Sequence, residues 1–125
     1  MQCLLVDDDL DDQEVFLMTL EKINKNIECL TANNGVEALS LLKAQNSFVP
    51  DYIFLDVNMP KMNGIECLKN LKELSQLDRC KIFMYSTTSE AAVLEKSKKW
   101  GADDFIVKPA SPAVLKEKLS AILND

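Results

Sequence analysis

Cys3-Leu4-Leu5-Val6-Asp7-Asp8-Asp9 runs four apolar residues straight into three carboxylates. Further along, Tyr52-Ile53-Phe54-Leu55 runs into one more, Asp56. If both runs are buried strands of one parallel sheet, four acids crowd one edge in a chain without histidine. Two carboxylates about 5 Å apart repel by roughly 3 kcal/mol at an effective dielectric near 20. A fold tolerates such a cost where a cation or a reaction uses it. The same stretch therefore speaks to architecture and to chemistry.

Outward from these runs, short β-like segments alternate with helical patterns five times, which predicts a parallel α/β sheet. Strands are expected at Gln2–Val6, Ile27–Ala32, Tyr52–Leu55, Lys81–Ser86 and Asp104–Val107. Helices are expected around Asp11–Asn24, Gly35–Gln45, Gly64–Leu74, Glu90–Lys99 and Pro112–Leu123. Phe16, Leu20 and Ile23 share one face of the first helix; Leu115, Leu119 and Ile122 share one face of the last. Asn63 before Gly64, with Glu66 three residues on, resembles a capping box. Ser111-Pro112 sets a capping hydroxyl before a first-turn proline, and Gly101 follows Trp100 where the fourth helix should stop. That helix is polar (Glu95-Lys96-Ser97-Lys98-Lys99) and thin in apolar residues. It reads as a solvated face, with a partner-docking or mobile helix as the alternative.

The 125 residues, 47% hydrophobic, suit a single domain over 1–125 with one core. A net charge of −6 argues against a nucleic-acid partner, which demands Lys/Arg surfaces. Cys3, Cys29, Cys67 and Cys80 are scattered, with no C-x-x-C pair and no histidine to complete a zinc site. They read as small core residues in a reducing compartment. The first apolar stretch is too short for a signal peptide and no window reaches membrane-spanning length, so a cytoplasmic chain with no membrane partner is expected.

In open α/β sheets, ligands bind outside the carboxyl ends of the strands. Four of the five expected strands end in a chemically useful group: Asp7-Asp8-Asp9, Asp56, Ser86-Thr87 and Lys108. Hard oxygen donors without His or Cys select Mg2+, bound through one or two carboxylates together with phosphate oxygens. A carboxylate can itself accept a phosphoryl group, and positioning with charge neutralisation supplies most of that catalysis. Lys108 would neutralise one side and the Ser86 hydroxyl would hold remaining oxygens. Asp9, Asp11 and Asp12 are read as caps of the first helix.

These residues resemble a response-regulator receiver domain, the CheY-like family of two-component signalling. The resemblance spans essentially the whole chain. It rests on Leu4-Leu5-Val6-Asp7-Asp8-Asp9, on Leu55-Asp56-Val57-Asn58-Met59-Pro60-Lys61-Met62-Asn63-Gly64, on Tyr85-Ser86-Thr87 and on Phe105-Ile106-Val107-Lys108-Pro109. The resemblance implies a doubly wound five-stranded parallel sheet in the flavodoxin-like order 2-1-3-4-5, with helices on both faces. It implies Asp56 as phosphoacceptor, supplied by a sensor histidine kinase or a phosphotransfer protein. Mg2+ would be held by Asp8, Asp56 and the backbone carbonyl of Asn58, with Asp7 acting through water. Ser86 and Lys108 match the family's hydroxyl and lysine, and Ser86 with Phe105 would form the switch. The family commonly has a cis bond at the position of Lys108–Pro109. Asn63 replaces a frequent Asp, and Phe105 lacks the hydroxyl of a tyrosine.

Two other readings fit parts of the pattern. Asp7-Asp8-Asp9 also suits the D-x-D of haloacid-dehalogenase-like phosphatases, but that family needs an acidic pair after the lysine, and only Glu117 and Asp125 follow. A binding module that keeps the fold but signals without phosphorylation has no need of the full set of acid, hydroxyl and lysine. The expectation is a stand-alone signalling receiver, not an enzyme. Its output would be protein contact through the fourth helix, fifth strand and fifth helix.

Overall fold

In a computed structural model, residues 1–45, 47–59 and 61–123 are described. Pro60 of the motif quoted above and Asp125 lie outside them. The strands are β1 (Gln2–Val6), β2 (Glu28–Ala32), β3 (Tyr52–Leu55), β4 (Lys81–Ser86) and β5 (Asp104–Val107). The helices are α1 (Leu10–Ile23), α2 (Gly35–Ala44), α3 (Gly64–Lys72), α4 (Ala91–Lys99) and α5 (Pro112–Leu123), with a 3₁₀ turn at Ser75–Leu77. All strand pairs are parallel, in the order β2-β1-β3-β4-β5. This is the expected α/β architecture and strand order.

Side-chain alternation along the buried strands builds two cores. On one face Leu4, Val6, Ile53, Leu55, Ile82 and Met84 pack with Ala38, Leu42, Leu68 and Leu71 from α2 and α3. On the other, Leu5, Phe54, Phe83 and Tyr85 pack with Phe16 and Leu20 of α1 and Leu115 and Leu119 of α5. An aromatic cluster stiffens the second core: Phe54 lies 5.0 Å from Phe16 and 5.6 Å from Phe83, centroid to centroid. Because β1 and β3 are covered on both faces, their sequences had to be continuously apolar. The four cysteines are free, three of them buried. Burial pushes the Cys3 thiol up to about 11 and the others to about 12, as suits core residues.

Local chemistry sets the ends. Asp9 accepts from the Asp11 and Asp12 N–H groups and starts α1 at Leu10. Asn63 accepts from Glu66 N–H at α3, and Ser111 accepts from Ala113 N–H at α5. After α4, Gly101 takes φ 94° and its N–H reaches Lys98 O, while Ala102 N–H reaches Ser97 O. That paired arrangement is a Schellman stop, which favours glycine.

Several expected details change. β2 begins at Glu28, since Ile27 N–H is used by the turn to Asn24 O. α3 ends at Lys72 rather than Leu74: Leu74 continues the apolar pattern, but its N–H turns back to Leu71 O and opens the 3₁₀ turn. The Lys108–Pro109 bond is trans, not cis; the intrinsic trans preference of X–Pro bonds, about 0.5–1 kcal/mol, prevails.

One glycine fixes how α3 meets the sheet. A Cβ on Gly64 would lie 2.1 Å from Asp56 O and 2.7 Å from Val57 Cα, and its N–H donates to Val57 O at 2.7 Å. Both obstacles are backbone, so nothing flexible can yield. Gly64→Ala is expected to lower stability by about 1–3 kcal/mol or more. The urea midpoint checks this; an unchanged midpoint would mean that α3 can retreat freely.

Candidate active site

The ladder carries β1 and β3 one residue past their ends. Val6 stands opposite Leu55. Asp7 N–H donates to Ala32 O at 3.0 Å and Asp56 N–H to Val6 O at 2.9 Å. The two acids are therefore rigid neighbours at the carboxyl edge. From β1 the chain leaves to β2 on one side, and β3 takes up the other, so a crevice opens between them.

Asp7 is wholly buried and Asp56 nearly so, while Asp8 is exposed. One carboxylate oxygen from each of the three lies within 4.8 Å of the others. Asp7 Oδ1 accepts from Asp9 N–H at 2.9 Å. Gln13 on α1 donates to the Asp7 carbonyl and to Asn33 Oδ1, tying the ends of β1 and β2 to the helix.

Lys108 arrives from the end of β5, its own N–H held by Ser86 O at 2.8 Å. Its ammonium lies 2.7 Å from Asp7 Oδ2, 2.8 Å from Asp12 Oδ2 and 3.3 Å from Asp56 Oδ2. It also stands 5.3 Å from the centre of the Tyr85 ring. The contacts to Asp12 and Asp56 are aligned hydrogen bonds. The approach to Asp7 Oδ2 is close but not aligned, so that buried oxygen takes no directed hydrogen bond. The contact is an ion pair without a directed hydrogen bond.

The charges respond unequally. Burial pushes the Asp7 carboxyl up to about 6, against the pull of Lys108 and the Asp9 N–H, and the Asp56 charge adds to the rise. Burial alone would lower Lys108, but its hydrogen bond to Asp12, its close contact with Asp7 and the charge of Asp56 outweigh that and raise it. The ammonium is thus secure, whereas one buried acid shares it with two others. Burial also lifts the Tyr85 phenol to about 12.

The residues fit a small divalent cation. Three carboxylates supply hard oxygen donors within 4.8 Å of one another, and the buried Asp7 Oδ2 has no directed hydrogen-bond partner among the described residues. That donor chemistry suits Mg2+ and its waters.

Of the residues singled out in the sequence, Asp7, Asp8, Asp56 and Lys108 meet here. Ser86 is wholly buried on the same rim, its hydroxyl accepting weakly from Thr88 N–H at 3.4 Å. Asn58 is exposed two residues beyond Asp56. Phe105 stands apart from the acids, opposite Met84 in register and half-buried against the first core. Asp9 caps α1 as expected. Asp12, also read as a cap, instead grips Lys108. The signal was present: Asp12 precedes Phe16 by four residues and Leu20 by eight, so it continues the core-facing stripe of α1 to the sheet edge.

An acid-lined switch point with a buried lysine defines a class, parallel α/β proteins with a charged site on the sheet edge. Comparison with known proteins is more specific. The family model for the response regulator receiver domain matches residues 3–120. A chemotaxis protein CheY homolog of Campylobacter jejuni is 36% identical over 124 residues, covering 99% of this chain and 93% of that protein. The chemotaxis response regulator CheY4 of Vibrio cholerae superposes with a TM-score of 0.82 at 34% identity, covering 98% of both chains. A CheY from Borrelia burgdorferi, solved in complex with CheX, BeF3 and Mg2+, gives 0.81 at 29% identity over 98% of this chain and 88% of that one. The chain belongs to the response regulator receiver domain family. Receiver domains of the CheY type are signalling proteins of two-component phosphoryl transfer.

The buried acid yields a signed expectation. An acid whose folded pKa is raised contributes stability below its unfolded value near 3.8, and that contribution is lost as pH rises through about 6. In the presence of EDTA, Asp7→Asn should therefore raise stability at pH 7.5 by about 1–3 kcal/mol, with the gain vanishing near pH 4. Asp12→Asn removes a half-exposed partner and should cost less than about 1 kcal/mol. Chemical denaturation at the two pH values checks both, and a destabilised Asp7→Asn at pH 7.5 would contradict the assignment.

Proposed function

We propose that Asp56 is the phosphoacceptor of a two-component relay and that its modification switches a protein-binding surface. The supporting observation is the position of Lys108, 3.3 Å from Asp56 Oδ2, beside two further acids within 4.8 Å. An Asp56 oxygen attacks phosphorus as the donor's N–P bond breaks, leaving an acyl phosphate and a neutral imidazole after protonation. The donor is a phosphohistidine on a sensor kinase or phosphotransfer protein. Asp8, Asp56 and the Asn58 carbonyl, with Asp7 through water, would hold Mg2+. When bound, that ion neutralises charge on the phosphoryl oxygens.

Lys108 offers its ammonium to the phosphoryl group from the other side, giving up part of its bond to Asp12. Ser86 turns its hydroxyl toward the remaining oxygen, away from Thr88 N–H. Phe105 follows inward, which reshapes the surface of α4, β5 and α5. A groove of about 390 Å³ between α4 and β5, lined by Leu94, Ala102 and Phe105, lies on that surface. Moving a two-state equilibrium from 1:99 to 99:1 takes about 5.5 kcal/mol. Two or three charge-assisted bonds of about 1.5–3 kcal/mol each reach most of it. The Borrelia CheY that carries BeF3 and Mg2+ does so while bound to CheX. That supports a phosphoryl-dependent protein partner here.

With acetyl phosphate and Mg2+, the chain should gain the mass of one phosphoryl group and stop. Asp56→Asn, or EDTA, should abolish the gain; labelling of the Asn variant would overturn the assignment. Beryllofluoride with Mg2+ should shift the amide resonances of Ser86, Thr87, Phe105 and α4. Shifts confined to the acid cluster would refute the switch.

A further inference from the structure

We propose that the furrow between α3 and α4 is a docking surface for an acidic, amphipathic protein segment. It is separate from the α4–β5 groove and holds about 680 Å³. Its floor is apolar, from Val57 and Ile65 to Val93 and Trp100. Trp100, the chain's single tryptophan, is 40% exposed. A large indole left open at the end of a thinly anchored helix is a feature the switch does not use.

The rim is basic. Lys69 projects from α3, and Lys96 and Lys99 from α4, with Glu66 the acid among the lining residues. These ammoniums form a positive island on a chain of net charge −6. Long-range repulsion from the rest of the molecule disfavours polyanions, and three lysines fall short of the phosphate contacts that nucleic acid needs. A short segment with a few carboxylates and an apolar face matches both the floor and the rim.

Lys69 is also held in place before any partner arrives. Its Nζ lies 4.2 Å from the Trp100 ring centre, and Lys99 Nζ lies 5.8 Å from it. A lysine stacked on an aromatic face has already lost much of its rotamer freedom, so pairing it with a carboxylate costs less entropy. Each flanking helix is nine residues long, about 13 Å, which fits two to three turns of a docked helix.

Trp100 makes the test direct, because its emission reports the furrow alone. The full chain is titrated with a synthetic helical peptide bearing Glu on one face and Leu on the other. Expected is a saturable emission shift with a dissociation constant of roughly 10–100 μM, weakened by added salt. Lys96→Glu leaves the Lys69–Trp100 stack in place and should weaken binding about tenfold or more; Lys69→Glu should do the same, read from the midpoint because its baseline changes. Asp56→Asn should bind the peptide as the parent does, so failure of the phosphoryl assignment is read separately. The proposal is overturned if a charge-inverted Lys peptide binds equally well or if the lysine reversals leave the midpoint unchanged. It is equally overturned if a single-stranded oligonucleotide, or self-association on concentration, produces the same shift more strongly, or if the acidic peptide gives none at roughly 1 mM.

Discussion

A single ammonium shared by three carboxylates holds the functional edge of this molecule together. Lys108 comes from the end of β5, Asp7 from β1, Asp56 from β3 and Asp12 from α1, so four separate elements meet at one nitrogen. Without it the acids at the ends of β1 and β3 would face each other across a partly dry crevice. With it, three negative charges still surround one positive charge, and the balance is left incomplete. Burial, with a smaller push from the Asp56 charge, raises the Asp7 carboxyl to about 6 despite that ammonium.

The sheet makes this arrangement possible at little local cost. Ladder bonds from Asp7 to Ala32 and from Asp56 to Val6 fix the acids on backbone that is itself part of the core. Gly64 then lets α3 press directly against the carbonyl of Asp56. The acid edge is thus fixed from beneath by backbone hydrogen bonds, while the chain turns away above it after Ser86 and at Asn58. Such a division suits a site that must hold charge in one geometry yet transmit a change elsewhere.

Much of this was legible in the chain. The continuous apolar runs of β1 and β3 announce strands buried on both faces, and their terminal acids announce the edge. The β1, β3, β4 and β5 bounds agree because the polarity changes sharply there. β2 and α3 shift by a residue or two, since Ile27 and Leu74 are apolar residues used in turns and apolarity alone cannot tell a turn from an element end. Asp12 escaped notice because an acid in a first helical turn suits the helix dipole, a sufficient explanation that hid a second role. The stacking of Lys69 on Trp100 joins two helices through tertiary packing, which no linear pattern encodes. The trans bond at Lys108–Pro109 was likewise outside what the motif could decide.

Along α4 the buried position is occupied by Ser97, whose hydroxyl bonds back to Val93 O at 2.8 Å within the same helix. A serine offers little apolar area to the sheet, and its polar bond travels with the helix wherever it goes. The segment is held instead by the half-buried Val93 and Leu94 and, past its last turn, by Trp100 under Lys69. A tilt of this helix would therefore forfeit little apolar burial.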